Sequence, residues 1–232
     1  MDYWSEMKAI QADRKIGVWN GDAGELDTKR RSYQIITANK ATIEGIARQV
    51  LEPVLDVVDA LIIMRGTKAH SGKSSWLEES IAQDIDCVIP NNSTAAAWWH
   101  FRGKIDKVRF DITHHQPMGG IPRTEKSYID RLTYDTIWRY IWEMNEKPPD
   151  LIWRAHQHRY VSTGDKWHND YFKVTGISMP GWQVKTEWIY RIGQENARVE
   201  VGGVWALCDN GKYTHDKLTY TVKPRRVWSK SI

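Results

Sequence analysis

Apolar positions divide the chain into elements of two different periods. Ile16-Gly17-Val18-Trp19 is a short apolar run that ends in the turn Asn20-Gly21-Asp22, and it predicts a buried strand. From Asn39 to Asp59 the apolar residues Ile43, Ile46, Ala47, Val50, Leu51, Val54, Leu55 and Val58 keep helical spacing. Pro53 is expected to kink or break that helix, since it has no N–H to donate. Leu61-Ile62-Ile63-Met64 then predicts a second strand, closed by Gly66. Ser74 to Ile85 reads as a helix, with Ser74 or Ser75 as its cap and Glu78 and Glu79 near its positive end.

The second half begins with a strand over Val108 to Thr113, ending at His114-His115. A helix follows from about Thr124 to Asn145, with the apolar stripe Ile129, Leu132, Ile137, Tyr140, Ile141 and Met144, and Pro148-Pro149 end it. Leu151-Ile152-Trp153 is a short strand that stops at Ala155-His156-Gln157-His158. The period then switches to two, over Tyr171–Thr175, Val199–Leu207 and Tyr213–Val222, with a hairpin turn at Asp209-Asn210-Gly211. This order predicts an α/β fold with strands sandwiched between helices, and a second sheet completing it. We read residues 1–232 as one domain, β-rich over 169–232.

Composition narrows the class. With 232 residues, 41% of them hydrophobic, the chain can bury one substantial core. A net charge of +4 from 33 basic and 29 acidic residues is too mild to argue for nucleic-acid binding by itself. The one local excess is Lys223-Pro224-Arg225-Arg226 with Lys230, a tail that could contact phosphate. Thirteen tryptophans suit a packed core and also suit stacking surfaces. Cys87 and Cys208 form no Cys-x-x-Cys pair and read as reduced structural thiols of a cytoplasmic protein. No apolar run is long enough to span a membrane, and the start of the chain does not look like a signal peptide.

Five of the eight histidines, His70, His114, His115, His156 and His158, lie at or just beyond the carboxyl end of a predicted strand, and so does Asp22. In open α/β layers those ends form the crevice where ligands bind. The residues of His156-Gln157-His158 can fan out from a turn toward neighbouring metal ions, or simply form a surface pair. An Asp22 carboxylate could serve two cations, one through each oxygen.

The order of the motifs is more specific than any one of them. Gly21-Asp22-Ala23-Gly24-Glu25, Arg65-Gly66-Thr67-Lys68-Ala69-His70, Thr113-His114-His115 and Ala155-His156-Gln157-His158 resemble, in sequence order, the motifs of the calcineurin-like metallophosphoesterases. The likeness covers about residues 16 to 192. The Gly-Thr-x-x-His style and Pro180-Gly181-Trp182-Gln183-Val184-Lys185-Thr186 look like the phage-encoded branch. The resemblance implies two divalent metal ions (Mn, Fe, Zn or Ni) and hydrolysis of a phosphoester, with a DNA or nucleotide diester as substrate. It implies Asp22 as the shared metal ligand, His156 and His158 on one metal each, and either His114 or His115 beside His156. Thr67 stands where that family has a metal-binding Asn, and His70 is the candidate general acid, displaced from its usual place beside that Asn.

The family's opening Asp-x-His does not occur in this chain. The expectation is therefore a chain that starts after the fold's first strand, either as an incomplete product or with one metal site lost. A relic of the fold that binds metal or nucleic acid without catalysis is the alternative. A third reading takes Gly66 to Ser74 as a phosphate-binding loop, although it has five residues between its glycines where a P-loop has four. Oligomeric state is not legible.

Overall fold

The computed structural model describes residues 3–26, 37–115, 124–183 and 200–221. The basic tail, Pro117, Gly119-Gly120 and residues 184–186 lie outside them. In chain order the elements are α1 (Tyr3–Ala9), β1 (Ile16–Asn20), α2 (Lys40–Leu55), β2 (Ala60–Met64), the single turn α3 (Lys68–Ser71) and α4 (Trp76–Gln83). Then come β3 (Phe101–Ile105), β4 (Val108–Thr113), α5 (Glu125–Trp138) with a π-helical turn at Arg139–Glu143, and β5 (Leu151–Arg154). Two short strands, β6 (Val161–Ser162) and β7 (Trp167–His168), precede β8 (Lys173–Ser178), β9 (Glu200–Asp209) and β10 (Lys212–Thr221).

The architecture is mixed α/β: two layers of strands face each other and helices cover their outer sides. β1 and β2 pair in parallel. The larger sheet runs β3-β4-β5-β8-β6, with β4, β5 and β8 parallel and β3 and β6 antiparallel to their neighbours. β2 is apolar throughout because it is buried on both faces. Ile62 and Met64 meet Phe110, Ile112, Leu151 and Trp153 between the sheets, while Leu61 and Ile63 meet Leu51 of α2 and Leu77 of α4. On the far side Ile137 of α5 packs on Ile152 and Val174. The hairpin of β9 and β10 turns at Asn210-Gly211, both with positive φ, as a tight hairpin turn requires.

Local chemistry moved several boundaries. α2 ends at Leu55, two residues after Pro53, so the proline shortens the helix at its last turn. Asn39 caps its start, accepting from the Thr42 N–H. α4 begins at Trp76, because Ser74 and Ser75 both have left-handed backbone and neither caps it with its side chain.

The parallel strands decide where the site lies. β1 and β2 in one sheet, and β4 and β5 in the other, end on the same edge of the sandwich, where contacts link Asp22 to Thr67 and to His114 and His156. Four loops distant in sequence therefore meet there.

Candidate metal centre

Each ligand candidate is delivered by a turn that few residues could make. β1 ends at Asn20, and Gly21 and Asp22 follow with φ of 78° and 53°. A side chain at Gly21 would also collide with the ring of His114, its Cβ falling 2.5 Å from Nδ1. After β5, His156 and His158 both have positive φ, at 71° and 52°. Left-handed backbone at non-glycine residues is costly, and three such residues at one edge point to function rather than to folding convenience.

Asp22 Oδ2, His114 Nε2 and His156 Nδ1 converge. His114 Nε2 lies 3.0 Å and His156 Nδ1 3.7 Å from Asp22 Oδ2, and the two nitrogens are 3.3 Å apart. Their donor atoms all fall within 4.8 Å of one another. His114 Nδ1 is 2.5 Å from the carbonyl oxygen of Asn20, which can only accept, so Nδ1 carries a proton. In a neutral ring Nε2 then presents its lone pair to a carboxylate oxygen and to a second imidazole nitrogen. Such a group needs a cation among its atoms, either a proton or a metal ion. One carboxylate and two imidazoles, one of them oriented by a backbone carbonyl, suit a borderline divalent ion.

The other carboxylate oxygen is held by the chain. Thr67 donates to Asp22 Oδ1 through its N–H at 2.5 Å and its hydroxyl at 3.0 Å, and Ser71 Oγ lies 3.4 Å away. Thr67 also caps α3, accepting from the His70 N–H. Behind this layer sits Glu78, fully buried, accepting from the Ala23 N–H at 3.0 Å and the Ser71 hydroxyl at 2.5 Å. Burial raises the Asp22 carboxyl, but hydrogen bonds and charge from His114, His156 and His70 outweigh it and hold Asp22 well below the usual carboxylate range. Burial lowers His114, and the adjoining Asp22 more than reverses that. Burial pushes Glu78 up.

His70 comes back to the site through one helical turn. α3 carries it across from Gly66, and its carbonyl accepts from the Leu26 N–H. Nδ1 of His70 then meets Glu25 Oε2 at 2.5 Å. That bond, aided by the Asp22 charge, raises the pKa of His70 despite partial burial. His115 stacks on His156 at 5.6 Å between ring centroids and is pushed down by burial and by the charges of His114 and His156. His158 packs against Gly181, where a Cβ would stand 2.9 Å from its ring, and its carbonyl accepts from the Glu200 N–H. Burial, then the His156 charge, pushes His158 to about 4.

Of the residues singled out in the sequence, the structure thus gathers Asp22, His114 and His156 into one donor group. Thr67 hydrogen-bonds Asp22, His70 pairs with Glu25, and His115 and His158 flank His156. Ser71, Glu78 and the Asn20 carbonyl carried no sequence signal, since each is ordinary for its element. The phosphate-loop reading of Gly66 to Ser74 finds no support: the N–H groups of Thr67, His70 and Ser71 bond inside the chain and serve Asp22 and α3.

No family model and no curated protein matches the sequence. Among solved structures, a single mutant of Vps29 from Entamoeba histolytica is similar over 94% of this chain and 88% of that one, at 6% identity and a TM-score of 0.43. Protein TM1076 of Thermotoga maritima is similar over 89% of this chain and 99% of that one, at 13% identity and a TM-score of 0.34. Neither a family nor an activity follows from likeness at that level, and the chemistry is carried by the site alone.

Proposed function

We propose that this chain is a metal-dependent phosphoesterase of the calcineurin-like kind, acting on a phosphodiester. The observation that carries the reading is the convergence of Asp22 Oδ2, His114 Nε2 and His156 Nδ1, with His114 turned toward the group by the Asn20 carbonyl. These three atoms would hold a divalent ion. When bound, such an ion supplies Lewis acidity, drawing charge from phosphoryl oxygens and acidifying water.

The remaining work falls to side chains. Thr67 fixes Asp22 Oδ1 through its N–H and its hydroxyl, so Oδ2 keeps its aim at the imidazoles. Glu25 holds His70 Nδ1, which leaves Nε2 to deliver a proton to the leaving oxygen. The raised pKa of His70 favours the charged form that such a donor needs.

A second reading, a metal-binding protein without turnover, is favoured by one observation: among the described residues a single donor group forms. One experiment separates the two. Metal content and manganese binding are measured on the protein and on Asp22→Asn, beside hydrolysis of bis(p-nitrophenyl) phosphate, a cyclic nucleotide and DNA. The proposal expects metal and turnover to fall together in Asp22→Asn. Unchanged metal content in that variant overturns the centre, and metal without turnover in the parent selects the second reading.

A further inference from the structure

Helix α5 and the π-helical turn after it present two parallel stripes to solvent. One is aromatic: Tyr134, Trp138 and Trp142, each four residues apart, are exposed by 49%, 47% and 72%. The other runs Arg131, Asp135, Arg139 and Glu143, all exposed and alternating in sign. Between the stripes lies a cleft of about 460 Å³ lined by Tyr134, Asp135, Trp138, Arg139 and Glu143. Three large rings in a row on one surface helix exceed the scattered apolar exposure that needs no explanation.

The charge stripe, in which Arg139 and Glu143 also pair within the helix at 3.4 Å, favours one occupant. Turned end for end about the level of residue 137, the stripe meets itself with Arg131 opposite Glu143 and Asp135 opposite Arg139, each pair formed twice. A lipid or nucleic-acid surface would instead call for a basic stripe. We propose that this face is a self-association surface, on which a second copy of the chain packs its α5 antiparallel. A two-fold interface must be complementary to itself, and this sequence of charges is. Trp142 of one copy then lies across the Tyr134 end of the other's aromatic stripe. The exposed parts of the rings supply roughly 700 Å² over both copies. That is less than the about 1,200 Å² of a small stable interface, so the charged stripe must add to it, and the association belongs to the weak, transient class. The surface is remote from the Asp22 loop in sequence and shares no residue with the metal centre.

Sedimentation velocity across a micromolar concentration series tests this, with helicity checked by circular dichroism. The parent should pass from monomer to dimer as concentration rises. Arg139→Asp should weaken the dimer about tenfold or more by setting like charges opposite one another. The double change Asp135→Arg with Arg139→Asp should restore most of the affinity, since it re-creates opposite pairs across the two-fold. Within the helix that double change places like charges side by side, so recovery has no explanation in helix stability. Trp142→Ser should also dissociate the dimer. A parent that is monomeric throughout, or a dimer indifferent to these changes, overturns the proposal. So does a monomer that floats with vesicles of mixed anionic and neutral phospholipid, which would reassign the face to lipid.

Discussion

Replacing Gly66 by alanine would test the metal centre through packing alone. A Cβ at Gly66 would stand 2.3 Å from both the backbone nitrogen and Oδ1 of Asp22, and 2.6 Å from Ser71 Oγ. Ordinary contact begins near 3.4 Å, so the carboxylate and its backbone must retreat by about 1 Å. Asp22 has little room for that, because its left-handed backbone and the 2.5 Å bond from Thr67 N–H fix it on both sides. Such overpacking costs about 1–3 kcal/mol of stability. The larger effect is on Oδ2, which leaves its place opposite His114 Nε2 and His156 Nδ1. Disturbing the partners that orient a metal ligand typically lowers affinity about 10–100-fold, and Gly66→Ala should fall in that range. Titration calorimetry of manganese into metal-free protein measures it, with a thermal melt showing that the variant is folded. A folded Gly66→Ala that binds metal within about threefold of the parent would refute the reasoning, since a ligand moved by about 1 Å cannot keep its affinity.

Other positions give independent checks. Gly45 is exposed in the middle of α2 with nothing near its Cβ position, so Gly45→Ala should stabilise the protein by about 1 kcal/mol, seen as a higher melting temperature. His70→Ala should slow turnover while metal stays bound; loss of metal would make His70 a ligand instead. Glu78→Ala strands the Ala23 N–H and the Ser71 hydroxyl, costing about 1–3 kcal/mol in a denaturant titration. Asp111 is buried between Arg154 at 2.7 Å and His100 at 2.9 Å, so Asp111→Asn leaves Arg154 short of its counter-charge and should cost about 3–5 kcal/mol. Burial raises Asp111, but His100 and Arg154 outweigh it and hold its carboxyl below the usual range. Its contribution is therefore present above the unfolded value of about 4 and is lost as pH falls further, through the folded value. Acid unfolding of Asp111→Asn should accordingly depend less on pH below about 4 than that of the parent, and equal slopes would refute the assignment.

Much of the frame is legible in the sequence because burial imposes a period. The unbroken apolar run at Leu61–Met64 predicts a strand, and the sandwich covers both of its faces. Asn210-Gly211 sets the last hairpin, and Val108–Thr113 and Leu151–Trp153 read correctly as strands. β3 escaped because Phe101-Arg102-Gly103-Lys104-Ile105 alternates over only five residues and carries two cations on its exposed positions. α1, β6 and β7 are too short to show a period at all. The long helix was expected to reach Asn145, but α5 stops at Trp138 and continues as a π-helical turn, a change of winding that a 3.6-residue pattern does not encode.

For the site, the sequence determined which side chains stand at the ends of strands, since strand ends follow from local pattern and turn residues. It therefore named Asp22, His70, His114, His115, His156 and His158 as a set, and the resemblance to a known family added Thr67. What the tertiary structure decided is which of these meet. Two parallel strand pairs, in sheets packed face to face, bring their carboxyl ends to one edge, and contacts across more than ninety residues of sequence are fixed by that packing alone. It placed His114 rather than His115 opposite Asp22, because Nδ1 of His114 reaches the Asn20 carbonyl of the other sheet. It brought His70 to Glu25 on the single helical turn that Thr67 caps. Local sequence fixes conformation over a few residues; the aim of a side chain toward a distant partner is fixed only when the sheets close on each other.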